Sequence, residues 1–187
     1  MLMRVLKGYL MFKKILAYGA LAGAIVSLHL FGLTLIFKGH VPMPWGMIIG
    51  YTVMLIALST VFVAIKRHRD IMQGGVIRFW PAFGLGLGIS LVAAILYVLG
   101  WEAALAVTGL DFGQTYGDAY LAEQKAAGVS GEALAKLTAE MAKFAEDYRN
   151  PLYRMPMTFS EIFPVGILVS LVSAGLLRNS RFLAARR

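Results

Sequence analysis

Three stretches of the chain, residues 15–37, 47–65 and 80–101, contain no Lys, Arg, Asp or Glu. Wound as α-helices at about 1.5 Å per residue, each reaches across the roughly 30 Å hydrocarbon core of a bilayer. A fourth stretch, 159–177, is interrupted only by Glu161 and Pro164 near its start. The pattern predicts four transmembrane helices.

Between the third and fourth stretches, residues 108–157 turn polar with mixed charge. Phe112, Tyr116 and Tyr120 recur at every fourth position, which predicts that the third helix continues outward with an aromatic stripe. Gly128 breaks that pattern, and Ser130 and Glu132 suit a new helix start. Leu134, Leu137, Met141, Phe144 and Tyr148 then trace one apolar face until Asn150 and Pro151 stop it. Two apolar stripes so placed pack on each other as a helical hairpin, or one of them receives a partner helix. The expected fold is all-α: a membrane-embedded four-helix bundle with an extracytoplasmic helical hairpin. It forms a single domain over residues 11–187, with 108–157 inserted between spans three and four.

Small residues four apart share a helix face, and in lipid such faces let backbones approach closely. Gly19 with Gly23, Gly46 with Gly50, and Gly84 with Gly88 are the pairs in the first three spans, and Gly166, Ser170 and Ala174 continue the spacing in the fourth. A close contact of helices one and three is expected at Gly19, Gly23, Gly84 and Gly88.

Composition agrees with a membrane protein, at 59% apolar residues and a mean hydropathy of +0.71. The absence of cysteine excludes disulfides and thiolate chemistry. A net charge of +8 does not point to nucleic acid, because the basic residues sit in short segments beside apolar runs. Placing the N-terminus inside gathers 12 of the 18 basic residues with one acid, Asp70, on the cytoplasmic side. That leaves 6 basic and 9 acidic residues outside, with Lys38 the sole charge of the short outer loop. Both termini are therefore expected in the cytoplasm. Trp45 and Trp101 on the outside and Trp80 on the inside fall at span ends, where an indole favours the headgroup level. Ala20, Leu21 and Ala22 mimic a signal-peptide cleavage site but lie too early in a run that continues to Phe37.

Several motifs together carry a resemblance. Phe12-Lys13-Lys14-Ile15 precedes Tyr18-Gly19, and Ile49-Gly50-Tyr51 precedes Met54-Leu55-Ile56-Ala57. Arg69-Asp70 with Gly74-Gly75, then Trp101-Glu102, Asn150-Pro151 and the run Glu161 to Gly166 complete the series. In this order and spacing, over about Met11 to Leu177, the chain resembles a bacterial family of four-span inner-membrane proteins known as a domain of unknown function, the DUF4199-like family. The resemblance implies a bacterial inner-membrane location and attaches no activity. Residues before Met11 fall outside it, which makes Met11 an alternative start to Met1.

Candidate chemistry rests on a few ionisable residues. His29 lies within the first span, Glu102 at the outer end of the third and Glu161 at the outer start of the fourth, all at one depth. With Tyr51 and Arg154 they form a candidate polar cluster at the outer mouth, since an intramembrane ionisable group is costly unless it is used. Interfacial hydration, pairing with Arg154 or favourable placement at a helix start would equally account for both glutamates. No HExxH or GxSxG occurs, one His with two Glu is a thin metal set, and no catalytic residue or cofactor is expected. The leading expectation is a non-enzymatic binding, scaffold or assembly-accessory protein acting through its bundle and outer hairpin. A small secondary transporter or channel is the alternative, and a metal-dependent membrane enzyme ranks third. Expected partners are the bilayer, a protein at the hairpin and a second copy of the chain.

Overall fold

A computed structural model describes residues 2–37 and 43–184. Met1, Lys38, Arg186 and Arg187, which entered the choice of start and orientation, lie outside the described residues. Six helices follow one another: α1 (Leu2–Phe37), α2 (Met43–Arg67), α3 (Phe79–Thr108), α4 (Phe112–Ala126), α5 (Gly131–Tyr148) and α6 (Pro151–Leu177). There is no strand among the described residues. Gly8–Phe37 of α1, Trp45–Met72 (α2 with the π-helical turn His68–Met72 after it), all of α3 and all of α6 are long and apolar enough to cross a membrane.

The four long helices form a bundle in which α1 lies along α3, α3 along α6, and α2 closes the ring against α1 and α6. The α1–α3 seam runs parallel. Ile15, Gly19, Gly23 and Ser27 meet Gly88, Val92, Leu96 and Gly100 in the same order, one turn at a time. A Cβ on Gly19 or Gly23 would stand 2.6 Å from that of Val92 or Leu96, and one on Gly100 would stand 2.6 Å from that of Ser27. Ser27 reinforces the contact by donating to the Leu96 carbonyl at 2.8 Å. The α3–α6 seam is antiparallel, with Gly86 against Ser170 and Ser90 against Gly166. Ser90 and Ser170 both donate to the Gly166 carbonyl, so these buried hydroxyls are satisfied.

Two glycine expectations are corrected. Among the described residues nothing lies within 4 Å of a Cβ placed on Gly84. The α1–α3 register would set it opposite Met11, where α1 is already exposed. Gly50 likewise meets nothing within 4 Å among the described residues; with Gly46 it borders a cavity instead.

The third helix also does not continue outward. It ends at Thr108, where Gly109 adopts a left-handed φ of +62° and donates back to the Leu105 carbonyl. After this turn Asp111 caps α4 by accepting from the Gln114 amide at 3.2 Å. The aromatic stripe thus sits on its own helix, which packs on α5 as a hairpin. Phe112 lies against Tyr148 and Tyr116 against Phe144, with centroids 5.3 and 5.6 Å apart, and Gly113 admits the Ala145 backbone. Ser130 occupies the N-cap of α5 but makes no capping side-chain bond. Asn150 caps α6, which starts well before residue 159 and runs through Pro156 and Pro164.

At the opposite end of the bundle Arg69, expected among the solvated loop charges, is fully buried. Its guanidinium donates to the carbonyls of Phe182 at 2.9 Å and Leu183 at 2.8 Å and pairs with Asp70 at 2.7 Å. It ties the segment after α6 to the turn after α2.

Candidate functional site

All four long helices send polar side chains toward the hairpin end: His29 and Thr34 from α1, Tyr51 from α2, Tyr97 from α3 and Glu161 from α6. They line one cavity of about 420 Å³, within the range that holds a small organic ligand. The rest of the lining is largely aliphatic and aromatic, including Val26, Leu30, Leu33 and Met54, with Trp101 on α3 and Phe112 and Tyr116 of α4 above. Gly46 and Gly50 form part of the α2 wall of the cavity, across from the α1 residues that line it.

The polar groups are unevenly satisfied. The Tyr97 hydroxyl donates to Glu161 Oε2 at 3.1 Å, and Thr34 donates to the Leu30 carbonyl at 2.8 Å within its own helix. His29 Nε2 is buried and has no hydrogen-bond partner among the described residues. Glu161 pairs with no Lys or Arg among the described residues.

Glu102 and Arg154 belong elsewhere. Arg154 Nε donates to Glu102 Oε1 at 2.7 Å, and a second nitrogen meets Oε2, a bidentate pair at the hairpin end of the α3–α6 seam. The pair lines a second, more polar pocket of about 370 Å³ with Asp111, Tyr148 and Arg149, and Phe112 stands in the wall the two pockets share. The expected cluster is therefore divided, with His29, Tyr51 and Glu161 in the cavity and Glu102 with Arg154 beside it.

Trp101 is buried rather than set in an interface. Its indole N–H donates to the Tyr148 hydroxyl at 2.8 Å and its ring meets the edge of Phe112, which docks the hairpin on the bundle. Burial pushes the Tyr148 hydroxyl up to about 12, so it stays neutral. Arg149 holds the Asp111 carboxyl below the usual carboxylate range by a 2.7 Å ion pair. These contacts fix the hairpin over the cavity. Sequence pattern had assigned Phe112 and Tyr116 to the hairpin alone; each ring also has a side facing the cavity.

Among the described residues no three of His, Asp and Glu gather closely enough to hold a metal ion. No curated protein and no solved structure matches the chain. Residues 6–179 match the profile of the family described as "Protein of unknown function (DUF4199)", a span that passes the expected 11–177 at both ends. The chain belongs to this DUF4199 family of helical proteins.

Proposed function

We propose that the protein is a non-enzymatic binding protein of the bacterial inner membrane, with both termini cytoplasmic, and that it holds an amphipathic small molecule in the hairpin-capped cavity. The carrying observation is the convergence of polar side chains from all four spanning helices in a largely apolar cavity under α4. A dry bundle would give those groups no reason to meet, since polar groups at this depth are costly without partners. The hairpin stripe that could have received a protein partner is engaged between α4 and α5, which draws the reading from the hairpin to the cavity. Lys66, Arg67, Arg69, Arg78, Arg178 and Arg181 at the end away from the hairpin support the cytoplasmic assignment. The family resemblance supports the bacterial one.

The test fills the cavity without disturbing the core. Among the described residues Gly50 has open space where a side chain would go, so Gly50→Phe should fold normally and occupy the void. Native mass spectrometry of protein extracted with its membrane lipids should find a small molecule retained by the wild type and lost from Gly50→Phe. Equal retention by both folded proteins contradicts the reading. A transporter is favoured over static binding if proteoliposomes move the retained molecule across the bilayer.

A further inference from the structure

The lining of the cavity is rich in acceptors and poor in free donors. The Tyr97 O–H is engaged by Glu161, the Thr34 O–H by the Leu30 carbonyl and the Trp101 N–H by Tyr148. Among the described residues no Lys or Arg lines the space. What remains unspent is the second oxygen of the Glu161 carboxylate, the lone pair of the Tyr97 oxygen and the buried His29 Nε2, which accepts when the ring carries its proton on Nδ1. The Tyr51 hydroxyl can act either way. With His29 Nε2 as an acceptor, an anionic or carbonyl-bearing head would find the Tyr51 hydroxyl as its donor among the described residues, whereas an ammonium head brings up to three donors and a positive charge to pair with Glu161. The rings of Tyr51, Tyr97, Trp101 and Tyr116 add faces that attract a cation.

We propose that the cavity selects a lipophilic amine, with its ammonium held by Glu161 and His29 and its apolar body lying among Val26, Leu30 and Met54. This rests on the reading of the cavity as a ligand site and names the class of ligand. The probe body must be apolar because the lining below the polar groups is aliphatic.

Trp101, which lines the cavity, supplies the readout. In a Trp45→Phe, Trp80→Phe background it is the sole indole, since the chain has 3 Trp. Three probes sharing one nitroxide-labelled alkyl chain, headed by a primary amine, an alcohol or a carboxylate, are titrated into the protein in phosphatidylcholine nanodiscs. The Gly50→Phe version gives the background from bulk lipid. Saturable quenching should be tighter for the amine than for the alcohol by about tenfold or more, the range expected of a charge-assisted hydrogen bond, and weakest for the carboxylate. Glu161→Gln should remove the amine's advantage while alcohol binding persists. Equal binding of amine and alcohol by the wild type, or tightest binding of the carboxylate, overturns the amine assignment and leaves the cavity reading standing. Absence of saturable quenching by all three probes, with Gly50→Phe indistinguishable from wild type, overturns both. The comparison of head groups on the wild type decides the matter even if Glu161→Gln does not fold.

Discussion

Arg154 grips Glu102 through two guanidinium nitrogens across the same antiparallel α3–α6 seam that brings Ser90 to Gly166 and Tyr97 to Glu161. A third contact, from Arg154 to the Arg149 carbonyl at 3.0 Å, joins the end of α5 to the pair. The pair therefore fastens three helices. Both side chains are less than one-fifth exposed, so loss of one partner leaves a partly desolvated charge. Glu102→Leu or Arg154→Leu should lower stability by about 2 kcal/mol, and Arg154→Lys, which cannot bind both oxygens, by about 1 kcal/mol. Thermal unfolding in detergent checks the order; equal melting of all three variants and wild type would show the pair to be energetically idle.

The glycines separate into two groups by neighbour rather than by motif. Gly23→Ala and Gly166→Ala each press a methyl onto a neighbouring Cβ at 2.6 Å and should cost about 1–3 kcal/mol. Gly84→Ala and Gly50→Ala meet nothing within 4 Å among the described residues and should be neutral, or stabilising by several tenths of a kcal/mol through helix propensity. Unfolding temperatures of the four purified variants decide it. Destabilisation by Gly84→Ala would contradict the α1–α3 register.

Arg69→Ala removes the donor that holds the Phe182 and Leu183 carbonyls. Asp70 keeps Lys66 at 2.7 Å, so its charge is not stranded and the loss should be about 2–3 kcal/mol. Arg178 and Arg181 are already exposed, and release of the segment should let the chain around them unfold into the trypsin site and speed cleavage there. Cleavage there as slow as in the wild type would show that other contacts retain the tail.

The Asp111–Arg149 pair makes hairpin docking depend on acid. Because the folded carboxyl lies below its unfolded value, its contribution is present above the ordinary Asp range near pH 3.9 and fades as pH falls through the depressed folded value. Both side chains are substantially exposed, so solvent screening keeps the effect small. Hydrogen-exchange protection at Gln114 and Thr115, corrected for intrinsic rates, should decline below about pH 4 in the wild type. Asp111→Asn keeps a capping side chain without the charge and should flatten that dependence.

Single cysteines introduced into this cysteine-free chain report sidedness directly. A cysteine at Gln124 or Ala139 should react with an impermeant thiol reagent added outside intact cells, and one at Gln73 or Asn179 should not. Outside labelling at Gln73 reverses the proposed orientation.

Residue order along the chain determined the four apolar helices, the α5 stripe and the Asn150–Pro151 stop, because each depends on neighbours within a turn or two. It also supplied His29, Tyr51 and Glu161 as groups of one depth, since depth follows from a fixed rise per residue. Which of them meet was decided by the packing of distant segments. The parallel α1–α3 register made Gly19 and Gly23 contacts and left Gly84 bare, although all three carry the same local signal. Helix packing turned Gly46 and Gly50 from an expected seam into the edge of a cavity. Trp101 was drawn inward because Tyr148, far along the chain, offered its hydroxyl as an acceptor. Arg69 was buried because the tail after α6 supplied carbonyls to satisfy it. A charge or an indole is placed by the partner it finds, and helix periodicity cannot name a partner on another helix.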